Sequence, residues 1–92
     1  MDKAVLVEVL AEAAGKRPKN ASFEFSEQEG ASVLVSTDGP LFVIEEVSRV
    51  EVKEGFAAVR AGKNDLYLVE LTRVIGLRVH RARREGAGFT TV

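Results

Sequence analysis

Ninety-two residues with 46% hydrophobic and 29% charged content make one ordinary globular domain, too short for two. With no cysteine there is no disulfide, no thiolate metal site and no cysteine nucleophile, a usage that suits a reducing cytosol. The formal net charge of -1 hides an uneven distribution, because residues 73–84 hold five arginines and no acid, while the rest holds eight basic and fourteen acidic residues. An acidic body with a basic end can dock nucleic acid, or can let the end of one subunit meet the body of another.

The chain opens MDKAVLVEVLAEAAG, where Val5, Leu6, Val9, Leu10 and Ala13 recur at the spacing of one helix face. Gly15 is placed to cap the helix and Pro18 to prevent its continuation. Val5, Val7 and Val9 also alternate as in a strand, but the alanine-rich second half favours a helix over residues 2–14. Glu8 and Glu12 interrupt the apolar run too soon for a secretory core or a membrane span, so a cytoplasmic protein is expected. Without an export signal, the Asn20-Ala21-Ser22 sequon reads as a chance occurrence.

After GKRPKN the period changes from about 3.6 to 2. Phe23 and Phe25 flank Glu24 as in a strand with one dry face, EQEG makes a turn, and SVLVS runs into the Asp38-Gly39-Pro40 turn signal. Leu41 to Ile44 is apolar at four consecutive positions, which predicts a strand covered on both faces, with the N-terminal helix as the cover. Glu54-Gly55 predicts a reversal, FAAVR a short strand, and AGKND a hairpin loop.

LFVIEEVSRVEV, residues 41–52, then returns as LYLVELTRVIGL, residues 66–77, if Glu46 is skipped. At the shared Ser48-Arg49 and Thr72-Arg73 steps a short hydroxyl can bond nearby backbone, which predicts a bend or a single helical turn at each. Gly76 marks a bulge, kink or close backbone approach. A last strand is expected over residues 77–82, with Leu77 and Val79 facing in and Arg78 and His80 facing out. The domain is expected to span residues 1–84, with a frayed tail over 85–92. The final Phe-Thr-Thr-Val suits a groove that captures C-terminal carboxylates, a match that short tails make by chance.

The chemical motifs of an enzyme are not found in this sequence. His80 stands among arginines rather than beside a nucleophile and an acid, and neither metal-ligand spacings nor phosphate-binding glycine loops occur. Glu45 and Glu46 are neighbours whose side chains point to opposite faces of a strand; Glu45 and Glu70 meet only if the two repeat copies pair side by side. No catalytic residue, metal or cofactor is therefore assigned, and the protein is expected not to be an enzyme.

The expected fold is α+β, an N-terminal helix packed on an antiparallel meander of five to six strands. Its order of elements loosely resembles the SH3-like and Sm-like small, partly open barrels, in which a short helical turn precedes the final strand. The glycine-containing first motif of the Sm family and its RNA-contacting asparagine are not identifiable here, so no residue is carried over. The expected function is a non-catalytic assembly module, a homo-oligomer joined through a strand edge and the basic end. The alternative is a small barrel that binds RNA or DNA. In either case the contact residues expected are Arg73, Arg78, His80, Arg81, Arg83 and Arg84.

Overall fold

A computed structural model describes residues 1–80 of the chain. Helix α1 runs Lys3–Ala14, and both of its ends are capped. The Asp2 side chain accepts from the Val5 N–H at 2.9 Å, and Gly15, left-handed at φ 78, donates its N–H to the Ala11 carbonyl. Leu6 and Leu10 are the buried pair, supported by Val7, Ala11, Ala13 and Ala14. Val5 is not on this face but is 47% exposed. At 3.6 residues per turn it lies more than a third of a turn from Leu10, so a stripe centred on the two leucines leaves it outside.

Six strands follow: β1 Ser22–Glu24, β2 Ala31–Val35, β3 Phe42–Val52, β4 Phe56–Ala61, β5 Asp65–Glu70 and β6 Val74–Val79. They form one antiparallel sheet in the order β5-β4-β3-β2-β6, with β1 beside β3. The α+β meander read from the sequence is the fold, and the sheet is open, with β5 and β6 at the two ends of the strand order and the short β1 paired on one side only. A 3-10 turn at Glu27–Glu29 precedes β2, and another at Leu71–Arg73 carries the chain from β5 to β6.

The two repeat copies solve different problems. In the second, Thr72 and Arg73 lie in the 3-10 turn, as the hydroxyl-arginine step predicts. In the first, the strand does not stop at Ser48-Arg49: β3 runs on for eleven residues. Its first half pairs with β2, its second with β4 and β1, and the register against β4 shifts between Val47 and Arg49 beside a left-handed Glu46 at φ 58. A bulge replaces the break because partners on both sides keep the ladder bonded past the hydroxyl. The chain leaving β5 instead has to cross to the opposite edge of the sheet. Gly76 stands at the second irregularity, opposite Leu34, where an added Cβ would lie 3.2 Å from Leu34 Cδ1.

Phe23, Val50, Val59 and Val74 are among the fully buried side chains at the centre of the core. Leu6 and Leu10 pack over Val33, Val50, Val59, Val74 and Leu77, so α1 covers the inner face around the second half of β3. The expected double cover of Leu41–Ile44 is therefore not met. Ile44 is buried, but Leu41 and Phe42 lie beyond the reach of α1 and stay exposed, with the Phe42 ring tilted against Tyr67 at 5.9 Å. The Met1 ammonium donates to the carbonyls of Leu71 and Val74 at 2.8 and 2.9 Å, fixing the helix start to the 3-10 turn that leads into β6. Among the described residues no helix is long and apolar enough to cross a membrane.

Candidate assembly edges and a charged groove

On β5 the side chains alternate. Tyr67 and Val69 lean on the core, while Leu66, Leu68 and Glu70 point to the outer face, with Leu68 66% exposed. The cross-strand neighbours of this outer row are Arg60, Ala58 and Phe56, and Phe56 is itself exposed, so the β4–β5 corner presents an apolar patch with charges around it. The other edge, β6, buries Val74 and half-buries Leu77 and Val79, and exposes Ile75 and Arg78. Among the described residues neither β5 nor β6 has a strand on its outer side. Backbone donors and acceptors along such an edge are a template for another strand.

Two arginines of the basic end, Arg73 and Arg78, fall among the described residues, and they lie apart. Arg73 sits before β6, and its guanidinium is engaged by its own chain: Nη1 donates to the Ser36 carbonyl at 3.3 Å and lies 3.9 Å from Asp38, while Nε lies 3.6 Å from Glu70. Arg78, about 16 Å away at the rise of extended chain, and His80, just past the strand's end, are exposed and form no ion pair among the described residues. Their outward orientation matches the alternation read from the sequence. Arg81, Arg83 and Arg84, and the expected tail at 85–92, lie outside the described residues.

Where β6 ends, a groove of about 860 Å³ opens between the Glu27–Glu29 turn, the bulged middle of β3, the β4–β5 loop and residues 78–80. Phe25, Val47 and Val79 form its apolar floor. Glu45 and Glu46 line it from β3, Lys63 from the loop whose Gly62 N–H donates to the Glu46 carbonyl, and Arg78 and His80 from the end of β6, without an ion pair between them among the described residues. Glu45 and Glu70 do not meet, because β4 lies between their strands. No group of three or more metal-ligating side chains occurs among the described residues.

Elsewhere the charges pair across the surface. Lys3 Nζ donates to Glu54 Oε2 at 2.8 Å, and this hydrogen bond, helped by the lysine's charge, holds the Glu54 carboxyl below the usual carboxylate range. Arg49 bridges Glu24 and Glu51, tying β1 to the outer half of β3. The exposed row on β5 is legible as alternation in LYLVE, whereas nothing in the sequence signals the groove, whose walls come from four separate stretches. No protein-family model, curated protein or solved structure matches the chain.

Proposed function

We propose that the protein is a cytoplasmic, non-catalytic assembly module whose β5 edge pairs with the β6 edge of a second copy. The observation that carries this reading is the pair of free sheet edges, each with exposed apolar side chains on its outer face: Leu66 and Leu68 on β5, Ile75 on β6. An antiparallel junction that sets Tyr67 against Leu77 and Val69 against Val74 keeps the inward residues on one side. The one-residue difference in offset is absorbed by the irregularity at Ile75-Gly76. Leu68 then meets Ile75 on the outer face, and the acids at the two ends of β5, Asp65 and Glu70, come near Arg78 and Arg73 at the two ends of β6. Both charge pairs are five residues apart, so one register serves both.

Such a contact is heterologous, and copies joined edge to edge close into a ring when the rotation per copy permits. The element order, with a 3-10 turn before the last strand, supports reading the sheet as a small partly open barrel of the SH3-like and Sm-like layout. Light scattering behind a sizing column, at low and high salt and with and without RNA, tests the assignment. A discrete multimer without RNA is the expected result. A monomer at high micromolar concentration and low salt overturns it, and a species that grows only with RNA, with an affinity that falls steeply with salt, assigns the arginines to phosphate contact instead.

A further inference from the structure

The groove at the end of β6 shares Arg78 with the proposed assembly edge, and its composition has a chemical meaning of its own. Ser32 lines it, is only 3% exposed, and its hydroxyl has no hydrogen-bond partner among the described residues. Buried hydroxyls are ordinarily bonded, because an unmet donor away from water is costly. Across the sheet from Ser32 stands Arg78, without an acid of its own. Glu46, lining the groove from β3, is held left-handed at φ 58, a conformation that a side chain ordinarily resists and that recurs at binding sites. Gly30 packs so closely under His80 that a Cβ there would lie 3.1 Å from the His80 carbonyl, which fixes the groove's end wall.

Cations and carboxylates that line one groove without pairing, over an apolar floor, fit a ligand that carries both charges. An inorganic anion would face Glu45 and Glu46, and a metal ion finds no ligand cluster among the described residues. We propose that the groove binds a small zwitterion, an amino acid or short peptide with an apolar side chain. Its carboxylate would rest on Arg78, its ammonium against Glu45 and Glu46, and the Ser32 hydroxyl, opposite Arg78, would donate to the ligand carboxylate. A volume of about 860 Å³ is within the range of small-molecule sites.

The test is an NMR titration of the isotope-labelled full chain with the dipeptide Ala-Val, free, N-acetylated or C-amidated, and with free valine. The free dipeptide or valine is expected to move the amide resonances of Ser32, Glu46 and Arg78 saturably. Blocking either terminus is expected to weaken binding about tenfold or more, as loss of a charge-assisted contact does. Ser32→Ala and Arg78→Gln should each weaken it as well, with thermal unfolding unchanged. Whichever of dipeptide and valine binds more tightly names the ligand size. Equal binding of the blocked forms, shifts away from the groove, or no saturable shift at millimolar ligand overturns the proposal. Repeating the titration on Leu68→Lys, a change on the assembly edge that leaves the groove residues in place, separates the two ideas: the separated copies should bind the ligand at least as tightly, and loss of binding on dissociation overturns the groove assignment.

Discussion

A single lysine in place of Leu68 tests the β5–β6 junction at its most exposed apolar point. Full burial of a leucine contributes about 1.5 to 3 kcal/mol, and Leu68 has 66% of its surface left to cover, so its share of the junction is about 1 to 2 kcal/mol. Ile75, 54% exposed, would lose its partner and about 1 kcal/mol with it. The substitution also sets a cation against a strand flanked by Arg73 and Arg78, a repulsion that adds to the loss at low salt. Together these weaken each junction by about 2 to 3 kcal/mol, roughly 30- to 150-fold in dissociation constant. Leu68 is exposed in the single copy, so the monomer should keep its melting temperature. Sedimentation velocity over a dilution series reads the shift, and Ala4→Lys, the same charge change on the exposed face of α1, is the control. If Leu68→Lys associates like the wild type, or if Ala4→Lys dissociates the complex equally, the junction is not where the copies meet.

Four further substitutions test the fold. Glu46→Gly should raise stability by about 0.5 to 1 kcal/mol, since relief of a left-handed side chain, about 1 to 2 kcal/mol, exceeds the added freedom of glycine in the unfolded chain; a fall in melting temperature would mean that Glu46 makes a contact stronger than its strain. Gly30→Ala adds a Cβ at φ 58 and 3.1 Å from the backbone oxygen of His80, and should cost about 2 kcal/mol or more, read as a drop of roughly 8 to 16 °C by calorimetry. Gly76→Ala meets only the movable tip of Leu34 and should cost less than about 1 kcal/mol, so equal effects at the two glycines would contradict the packing. Lys3→Met removes the partner that lowers the Glu54 carboxyl. Because a lowered carboxyl stabilises the folded state above its unfolded pKa and loses that contribution as pH falls through the folded one, the small deficit of the variant at neutral pH should vanish in acid, as chemical denaturation at the two pH values will show.

The elements most legible in the sequence were those whose signals are local. Asp2, Gly15 and Pro18 bracket α1, Phe23 and Phe25 mark β1, and Gly55 and Gly62 fall at the two hairpin reversals with positive φ. Signals that depend on distant partners were less reliable. The stripe on α1 is rotated away from Val5 because the leucines set the contact, and periodicity alone weighs valine and leucine alike. Ser48-Arg49 and Thr72-Arg73 are similar as sequence, yet one lies within a paired strand and the other in a turn, because β4 and β1 wait beside the first. Of the five arginines that read as one basic end, only Arg73 and Arg78 fall among the described residues, and Arg73 is taken up by Asp38 and Glu70.

The two edges are guarded unequally, and that asymmetry argues for a directed contact. Natural edge strands are commonly blunted by an inward charge, a proline, a bulge or a central lysine. β6 has an irregularity at Ile75-Gly76 and an arginine near its end. β5 has none of these devices between Asp65 and Glu70: its register against β4 is unbroken over six residues, and its charges stand only at the ends. A flat edge with Leu66 and Leu68 beside it invites any strand, whereas a bulged partner with matching terminal charges admits one register. Two β5 edges brought together would face acid with acid at both ends in a parallel pairing, and would set Asp65 of one copy beside Glu70 of the other in an antiparallel one. Two β6 edges would oppose arginines in the same way. The charge pattern thus disfavours both symmetric dimers of these edges and supports the proposed contact of β5 against β6, which would be head-to-tail.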